Sequence, residues 1–254
     1  MTPGPLEPDP WARLKRLTPA RIGLGHAGGS LPTAAHLAFQ LAHARARDAV
    51  QDALDPDALV AELAARGLDA VAVRSAAARR LDYLQRPDLG RRLDRESRER
   101  LAALAPTLGS PDLVLVLADG LSARAAERHG PAVLERLVAR LHGDGWRVAP
   151  VVVAVQGRVA LGDEIGAALG ARMATVLLGE RPGLSSPHSL GAYLTWAPAP
   201  GRRDSERNCL SNIRPEGLSY DRAAERLHAL LTEARRRQLT GVQLKEDPAL
   251  PPPG

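Results

Sequence analysis

Asp112-Leu113-Val114-Leu115-Val116-Leu117-Ala118-Asp119-Gly120 is the stretch on which the fold turns. Its apolar residues run without alternation, so both faces of the segment must be covered. A short run of that kind, closed by an acid and a glycine, reads as a buried strand ending in a turn. Downstream, Ser122 to His142 has helical spacing, with a break expected at Gly130-Pro131. The same succession then recurs: Trp146 to Val155 as a strand, a short helix around Asp163–Leu169, and Arg172 to Leu178 as a strand. Upstream, after Gly67, Asp69-Ala70-Val71-Ala72-Val73-Arg74 reads as another short buried strand. Strands separated by helices require crossover connections, hence a mostly parallel sheet. Leu190 to Trp196 reads as one further strand. Ser219 to Gln238 reads as an amphipathic helix with Ala223, Leu227, Leu230 and Leu231 on one side.

The N-terminal part has a different rhythm. Pro32-Thr33 opens a helix with Leu37, Leu41 and Ala44 at helical spacing and Gln40, His43, Arg45, Arg47 and Asp48 on its polar side. Asp55-Pro56-Asp57 starts a second helix through Arg66, because aspartate suits the cap and proline the first turn. Residues 1–17 carry four prolines and no sustained period, although Trp11–Leu17 has the makings of two amphipathic turns. The expected organisation is a flexible lead (1–17), a helical section (18–66), a Rossmann-like α/β domain (67–241) and a flexible tail (242–254). The fold class is α/β, a mostly parallel sheet with the helical N-terminal section packed on it.

Composition removes several function classes. The 254 residues are 44% hydrophobic and 25% charged, ordinary for a globular chain with a real core. No segment approaches the roughly 18–20 uninterrupted apolar residues of a membrane span, and the first residues lack a secretory pattern. The chain is therefore expected in the cytoplasm, with no membrane partner. A single cysteine, Cys209, excludes an internal disulfide and a cysteine-based zinc cluster. The formal charge of +5 is basic. Yet acids interleave with the arginines, as in Arg91-Arg92-Leu93-Asp94-Arg95-Glu96-Ser97-Arg98-Glu99-Arg100, which reads as a solvated helix face with i,i+4 pairs. With aromatics at 3%, base-stacking platforms and a nucleic-acid partner are not expected.

Val176-Leu177-Leu178-Gly179-Glu180-Arg181-Pro182-Gly183-Leu184 carries the main candidate site. A strand ends where two opposite charges meet a forced turn, and ligands of parallel α/β sheets bind outside the carboxyl ends of strands. Glu180 there either accepts hydrogen bonds from a ligand or forms a surface pair with Arg181. Asp119 and Ser122, at the other strand exit, either hold a polar or anionic ligand at the helix start or simply cap it. Asn208-Cys209-Leu210-Ser211-Asn212-Ile213 reads as a compact polar turn, with Cys209 as a structural residue or a nucleophile.

Other strings fall short of a mechanism. Gly23-Leu24-Gly25-His26-Ala27-Gly28-Gly29 matches a dinucleotide fingerprint by spelling, but no convincing strand precedes it and Pro32 delays the helix. A glycine-rich loop docking against a partner is the preferred reading. The seven histidines are scattered, and His36 with His43 lack a third ligand at metal spacing. Ser185 and Ser186 beside His188 do not assemble a nucleophile elbow or an ordered triad.

Taken together, these segments resemble the small (light) subunit of ethanolamine ammonia-lyase. The resemblance rests on Thr18-Pro19-Ala20-Arg21-Ile22-Gly23-Leu24-Gly25 with Ala27-Gly28-Gly29 and Leu31-Pro32-Thr33, and on Phe39–Val50. It continues through Ala118-Asp119-Gly120-Leu121-Ser122-Ala123, Gly179–Leu184 and Cys209-Leu210-Ser211-Asn212-Ile213, in family order over about residues 18–241. It implies a lyase subunit that is not catalytic alone. In that family a large TIM-barrel subunit binds ethanolamine, the small subunit closes over adenosylcobalamin, and radical rearrangement releases acetaldehyde and ammonia.

What the resemblance implies for individual residues is specific. Cofactor contacts carry over onto Val159, as an apolar contact at a strand-exit loop, onto Glu180, as an acceptor for corrin amides, and onto Cys209, through backbone groups of its turn. Asp119 and Ser122 are added from their position at the sheet edge. No D-x-H-x-x-G string occurs, in keeping with a cofactor that retains its own benzimidazole ligand, so no protein metal ligand is named. The lead before Thr18 is shorter than in enteric members, which favours free cytoplasm over packaging in a bacterial microcompartment. The alternative is a regulatory or carrier module for cobalamin or a nucleotide, without lyase activity.

Overall fold

A computed structural model describes residues 9–185 and 188–245. After a 3₁₀ turn over Pro10–Arg16, the order is α1 (Thr33–Gln51), α2 (Pro56–Ala65), β1 (Ala70–Arg74), α3 (Arg80–Gln85) and α4 (Arg95–Leu108). Then come β2 (Leu113–Ala118), α5 (Ala123–Gly143), β3 (Val151–Val155), α6 (Leu161–Ala168), β4 (Met173–Gly179), β5 (Leu190–Trp196), β6 (Arg207–Ile213) and α7 (Tyr220–Arg237). The six strands form one sheet in the order β1-β3-β2-β4-β5-β6. The pairs β1/β3, β3/β2 and β2/β4 are parallel, and β4/β5 and β5/β6 are antiparallel. The molecule is α/β with a mostly parallel sheet.

The unbroken apolar run of β2 is explained by what covers it. Leu113, Leu115 and Leu117 enter the core shared with α2, α5 and α7, while Val114, Val116 and Ala118 enter the core shared with α4 and α6. Burial on both faces leaves no position for a polar residue. Each fully buried leucine contributes about 1.5–3 kcal/mol relative to exposure, so the central strand is a major anchor of the fold.

Several boundaries differ from the pattern read in sequence. Helix α5 runs through Gly130-Pro131 without the expected break. Its buried face over the sheet offsets the roughly 3 kcal/mol cost of an interior proline, and Gly130 lies so close to Leu117 that a Cβ there would come within 2.5 Å of Leu117 Cδ1. The strand expected from Trp146 begins only at Val151, because Pro150 has no N–H to give a ladder. Trp146 is buried in the core instead, with the Arg235 guanidinium 4.7 Å from its ring centre. Strand β1 is only half-buried, as an edge strand is, with Val73 alone fully covered.

Residues 208–213 are the largest correction. They are not a compact turn but most of β6, paired with β5 through Tyr193↔Cys209 and Leu194↔Asn208. The segment is polar because it is an edge strand whose outer face meets solvent. The turn follows it, prepared by Asn212 near the strand's end with φ of 59°, and Gly217 packs on the Asn212 carbonyl.

The N-terminal section is less tightly packed than its periodicity suggests. Only Ala49 of α1 is buried, and Leu37, Phe39 and Leu41 stand in the open. Contact with the rest comes chiefly at its C-terminal end, where Arg80 Nε donates to Val50 O at 2.8 Å and Arg124 pairs with Asp52 at 2.6 Å. By contrast, α2 buries Leu59 and Leu63 and is capped by Asp55, which accepts from the Asp57 and Ala58 amides. Residues 1–8 of the N-terminal lead and 246–254 of the tail lie outside the described residues.

Candidate functional site

The site follows from the order of the strands. From β2 the chain crosses to β3 on one side, then returns past β2 to β4 on its other side. Loops leaving neighbouring strands in opposite directions open a crevice at the carboxyl edge. A cavity of about 840 Å³ occupies this edge, walled by Leu121 after β2, Val159 and Ala160 after β3, and Leu178 to Arg181 at the end of β4. It falls within the roughly 300–1,000 Å³ of small-molecule sites. Tyr193 and Cys209, facing each other across β5 and β6, close the far side.

Three residues singled out in sequence, Val159, Glu180 and Cys209, thus share one cavity. Glu180 sits on the turn with its amide bonded to Ser189 O at 2.9 Å. Ser189 Oγ donates to its Oε2 at 2.6 Å, and the Asn212 amide lies 3.2 and 3.3 Å from the two oxygens. These donors fix the carboxylate, and Glu180 lines the cavity. Among the described residues it makes no ion pair with Arg181, so the surface-pair reading does not hold. Cys209 is an exposed free thiol on the edge strand, 3.4 Å from Ser211 Oγ.

The cavity is electropositive. Arg91, Arg158, Arg181, Arg202, Arg203 and Arg207 line it, against the carboxylates of Glu180 and Asp204. Arg207 is 8% exposed and is held in a fork by Asp163 at 2.6 and 2.7 Å, with Thr195 Oγ1 at 2.8 Å. Burial alone would lower its pKa, but the hydrogen bonds and charge of Asp163 hold it above the ordinary value; burial raises the Asp163 carboxyl, against the pull of Arg207. Two guanidiniums sit over the Tyr83 ring, Arg80 at 4.7 Å and Arg158 at 4.5 Å from its centre. Burial pushes its hydroxyl up to about 12, and the hydroxyl donates to Gly157 O at 3.2 Å. Burial, with the adjacent Cys209, also raises the Tyr193 hydroxyl, which stays a donor.

Asp119 and Ser122 do not line this cavity. Asp119 is 1% exposed; its Oδ1 accepts from the Gly157 amide at 3.1 Å and its Oδ2 pairs with Arg80 at 3.3 Å. Burial pushes its carboxyl up to about 6. Ser122 caps α5 by accepting from the Ala125 amide at 3.3 Å, and its hydroxyl meets His188 Nδ1 at 3.3 Å. Tyr83, Arg158, Tyr193 and Arg202 are wall residues that sequence reading passed over. Arg158 alone had a signal, its position beside Val159.

The remaining motifs resolve simply. The Gly23–Gly29 loop is not preceded by a strand, and Gly23 packs against Ala12 of the 3₁₀ turn, where a Cβ would come within 2.8 Å. A dinucleotide fingerprint is therefore not formed. Among the described residues, no group of three or more His, Cys, Asp or Glu side chains converges as metal ligands. Ser185 Oγ donates to Pro19 O at 3.4 Å, and Ser186 lies outside the described residues.

Known proteins resolve which family built this cavity. The profile described as ethanolamine ammonia-lyase light chain (EutC) matches residues 8–245. The chain belongs to the ethanolamine ammonia-lyase light-chain family. It is 58% identical to the ethanolamine ammonia-lyase small subunit of Azotobacter vinelandii, over 96% of this chain and 90% of that protein. It is 60% identical to the small subunit of Rhodopseudomonas palustris, over 93% of this chain and 90% of the relative. With that of Ralstonia nicotianae it shares 53% identity, over 98% of this chain and 93% of the relative. As a light-chain member it is a subunit of a carbon–nitrogen lyase, and a small subunit implies a larger partner. Among the described residues, no helix is long and apolar enough to cross a membrane.

Proposed function

We propose that this chain covers adenosylcobalamin on a large TIM-barrel subunit, and that the pair converts ethanolamine to acetaldehyde and ammonia in the cytoplasm. The observation that carries this reading is the convergence of Val159, Glu180 and Cys209, distant in sequence, on one cavity at the carboxyl edge. The donor set fits the group. A corrin presents amide N–H groups, which suit the fixed Glu180 carboxylate, and amide carbonyls and one phosphodiester, which suit the arginines. Val159, Leu121 and Leu178 offer apolar contact to the ring.

When bound, the cofactor supplies radical chemistry through cleavage of its cobalt–carbon bond. This chain's residues hold and shield. Glu180 orients the corrin edge, the Tyr193 hydroxyl donates at neutral pH, and the apolar wall excludes water. The partner docks on the N-terminal section, where Leu31, Leu37, Phe39 and Leu41 are exposed next to the Gly23–Gly29 loop. Exposed apolar side chains grouped on and just before one helix mark protein contact surfaces.

The deciding experiment measures ammonia and acetaldehyde release from ethanolamine plus adenosylcobalamin, with this chain co-expressed with a large subunit and each chain assayed alone. Activity confined to the pair supports the reading. A folded, stable pair without activity refutes it and leaves a regulatory or carrier module.

A further inference from the structure

The loop that presents Val159 is held by Gln156 and Asp119, which do not line the cavity, and by Tyr83 and Arg158, which do. Gln156 adopts φ of 56°, and its side-chain amide, in the orientation that satisfies both atoms, donates to Ala77 O at 2.8 Å and Arg79 O at 2.9 Å. The Arg158 amide donates to Gly90 O at 2.9 Å, and Arg158 Nη2 donates to Tyr83 O at 3.0 Å. Both backbone polar groups of Gly157 are also held: its N–H by Asp119 and its carbonyl by Tyr83. Gly157 fits here because a Cβ would lie 3.0 Å from Ala118 Cβ. Asp119 is bound in turn to Arg80, whose Nε caps Val50 O at the end of α1. A continuous, partly buried path of hydrogen bonds therefore runs from the exposed N-terminal helix to the cavity loop.

We propose that Asp119 is a positioning residue: with Arg80, it sets the Gly157–Val159 loop against the cofactor and ties that loop to the end of α1. The inference rests on the cofactor reading above. It gives Asp119 a role other than ligand contact, since the carboxylate is spent on Gly157 and Arg80 and faces no open space. The site is also an expensive one to keep charged, because burial raises its carboxyl to about 6. The groups facing it are Arg80 and Tyr83 from α3, the Gln156 and Gly157 amides from the β3 exit, and the Gly120 amide on its own turn. Among these Arg80 alone carries charge at neutral pH, so protonation of Asp119 leaves a guanidinium without its partner.

The test uses the complex of this chain with its large subunit and compares the parent, Asp119→Asn, Arg80→Met and a control, Asp112→Asn. Asp112 is equally buried but lies at the opposite, amino end of the sheet, with its carboxylate on the Arg147 amide. Hydrogen exchange of the cofactor-free complex is expected to rise at least tenfold at the amides of residues 157–160 in Asp119→Asn and Arg80→Met, and not in Asp112→Asn. Adenosylcobalamin affinity, by absorbance titration, is expected to fall about tenfold in the first two variants. In the parent it is expected to weaken as pH drops through about 6, and in Asp119→Asn to stay flat. Unchanged loop exchange and unchanged affinity in Asp119→Asn would overturn the proposal and leave Asp119 a structural residue. Should that variant not assemble, Arg80→Met gives the same two readings, and parent-like values there overturn it equally. A parent complex that binds no adenosylcobalamin refutes the cofactor reading, while the exchange result still judges the loop.

Discussion

Gly179→Ala probes the closest backbone approach at the site. Gly179 ends β4 and receives a hydrogen bond from the Leu121 amide at 2.9 Å. A Cβ on it would lie 2.1 Å from Ser122 O and 2.3 Å from Asp119 O. Ordinary carbon–oxygen contacts begin at about 3.3 Å, so the turn after β2 must retreat by about 1 Å. Backbone, unlike a flexible side chain, cannot yield cheaply, which puts the cost at about 3 kcal/mol, the upper part of the overpacking range. At about 2–4 °C per kcal/mol for a chain of this size, the expected loss is roughly 6–12 °C in Tm. The adjacent Glu180 moves with the turn, and a misplacement of about 1 Å costs on the order of 10²-fold in a reacting geometry. Thermal unfolding and ammonia release, both on the complex with the large subunit, read the two effects. Gly143→Ala is the control, since a Cβ there meets nothing, and its expected effect is within about 1 kcal/mol. A Gly179→Ala complex that matches the Gly143→Ala complex in Tm and turnover would refute the argument that the two strand exits are locked backbone to backbone.

Glu180→Ala removes the acceptor of Ser189 Oγ and of the Asn212 amide and is expected to weaken adenosylcobalamin retention at least tenfold with assembly intact; gel filtration followed by absorbance reads both. Cys209→Ser is expected to keep most turnover, because the strand backbone is paired through Tyr193, and near-complete loss would assign the contact to sulfur. Arg207→Ala strands the buried Asp163 charge and is expected to cost about 3–5 kcal/mol by denaturant unfolding, with part of it recovered in Arg207→Met/Asp163→Leu. Stability should rise on mild acidification. The Asp119 carboxyl is raised from 3.8 to about 6 in the folded chain, so the folded state binds the extra proton between those values and stability is lost as pH rises through them. That shift corresponds to about 3 kcal/mol, and the slope between pH 4 and pH 6 should be smaller in Asp119→Asn.

The parallel strands and the long helices were legible because burial on two faces, or on one stripe, writes its period into the residues. Leu113–Ala118 and the α7 stripe of Ala223, Leu227, Leu230 and Leu231 followed from that, and the start of α2 from its Asp55 cap. Strand β6 was not legible, since an edge strand with one solvated face has no reason to be apolar, and Asn208 to Asn212 carries mostly polar side chains. Nor was the continuity of α5 across Pro131, because the packing that overrides the proline lies on β2. The cavity was half legible. Glu180 stood out by its turn chemistry, and Val159 and Cys209 entered through resemblance. Tyr83 and Arg158 meet across a sequence gap that no local pattern spans, and the contacts of Asp119 with the Gly157 amide and Arg80 lie outside both the ligand and the cap roles its position suggested.

The proposed positioning role explains why a carboxylate is kept where burial opposes its charge. A neutral acceptor could hold the Gly157 amide, but it would not draw Arg80 over the end of α1 or keep that guanidinium against Tyr83. A charge held at a cost in stability makes the loop's position depend on what lies at the other end of the path, the exposed helix on which the large subunit is proposed to dock. An isolated small subunit then holds its Val159 loop less firmly than one whose α1 is clamped. This predicts that adenosylcobalamin affinity depends on the partner beyond the contacts the partner itself makes. Hydrogen exchange at residues 157–160 should slow when the large subunit binds without cofactor in the parent, and should not slow in Arg80→Met. Equal slowing in both would show that the partner orders the loop by direct contact, with no path through Arg80.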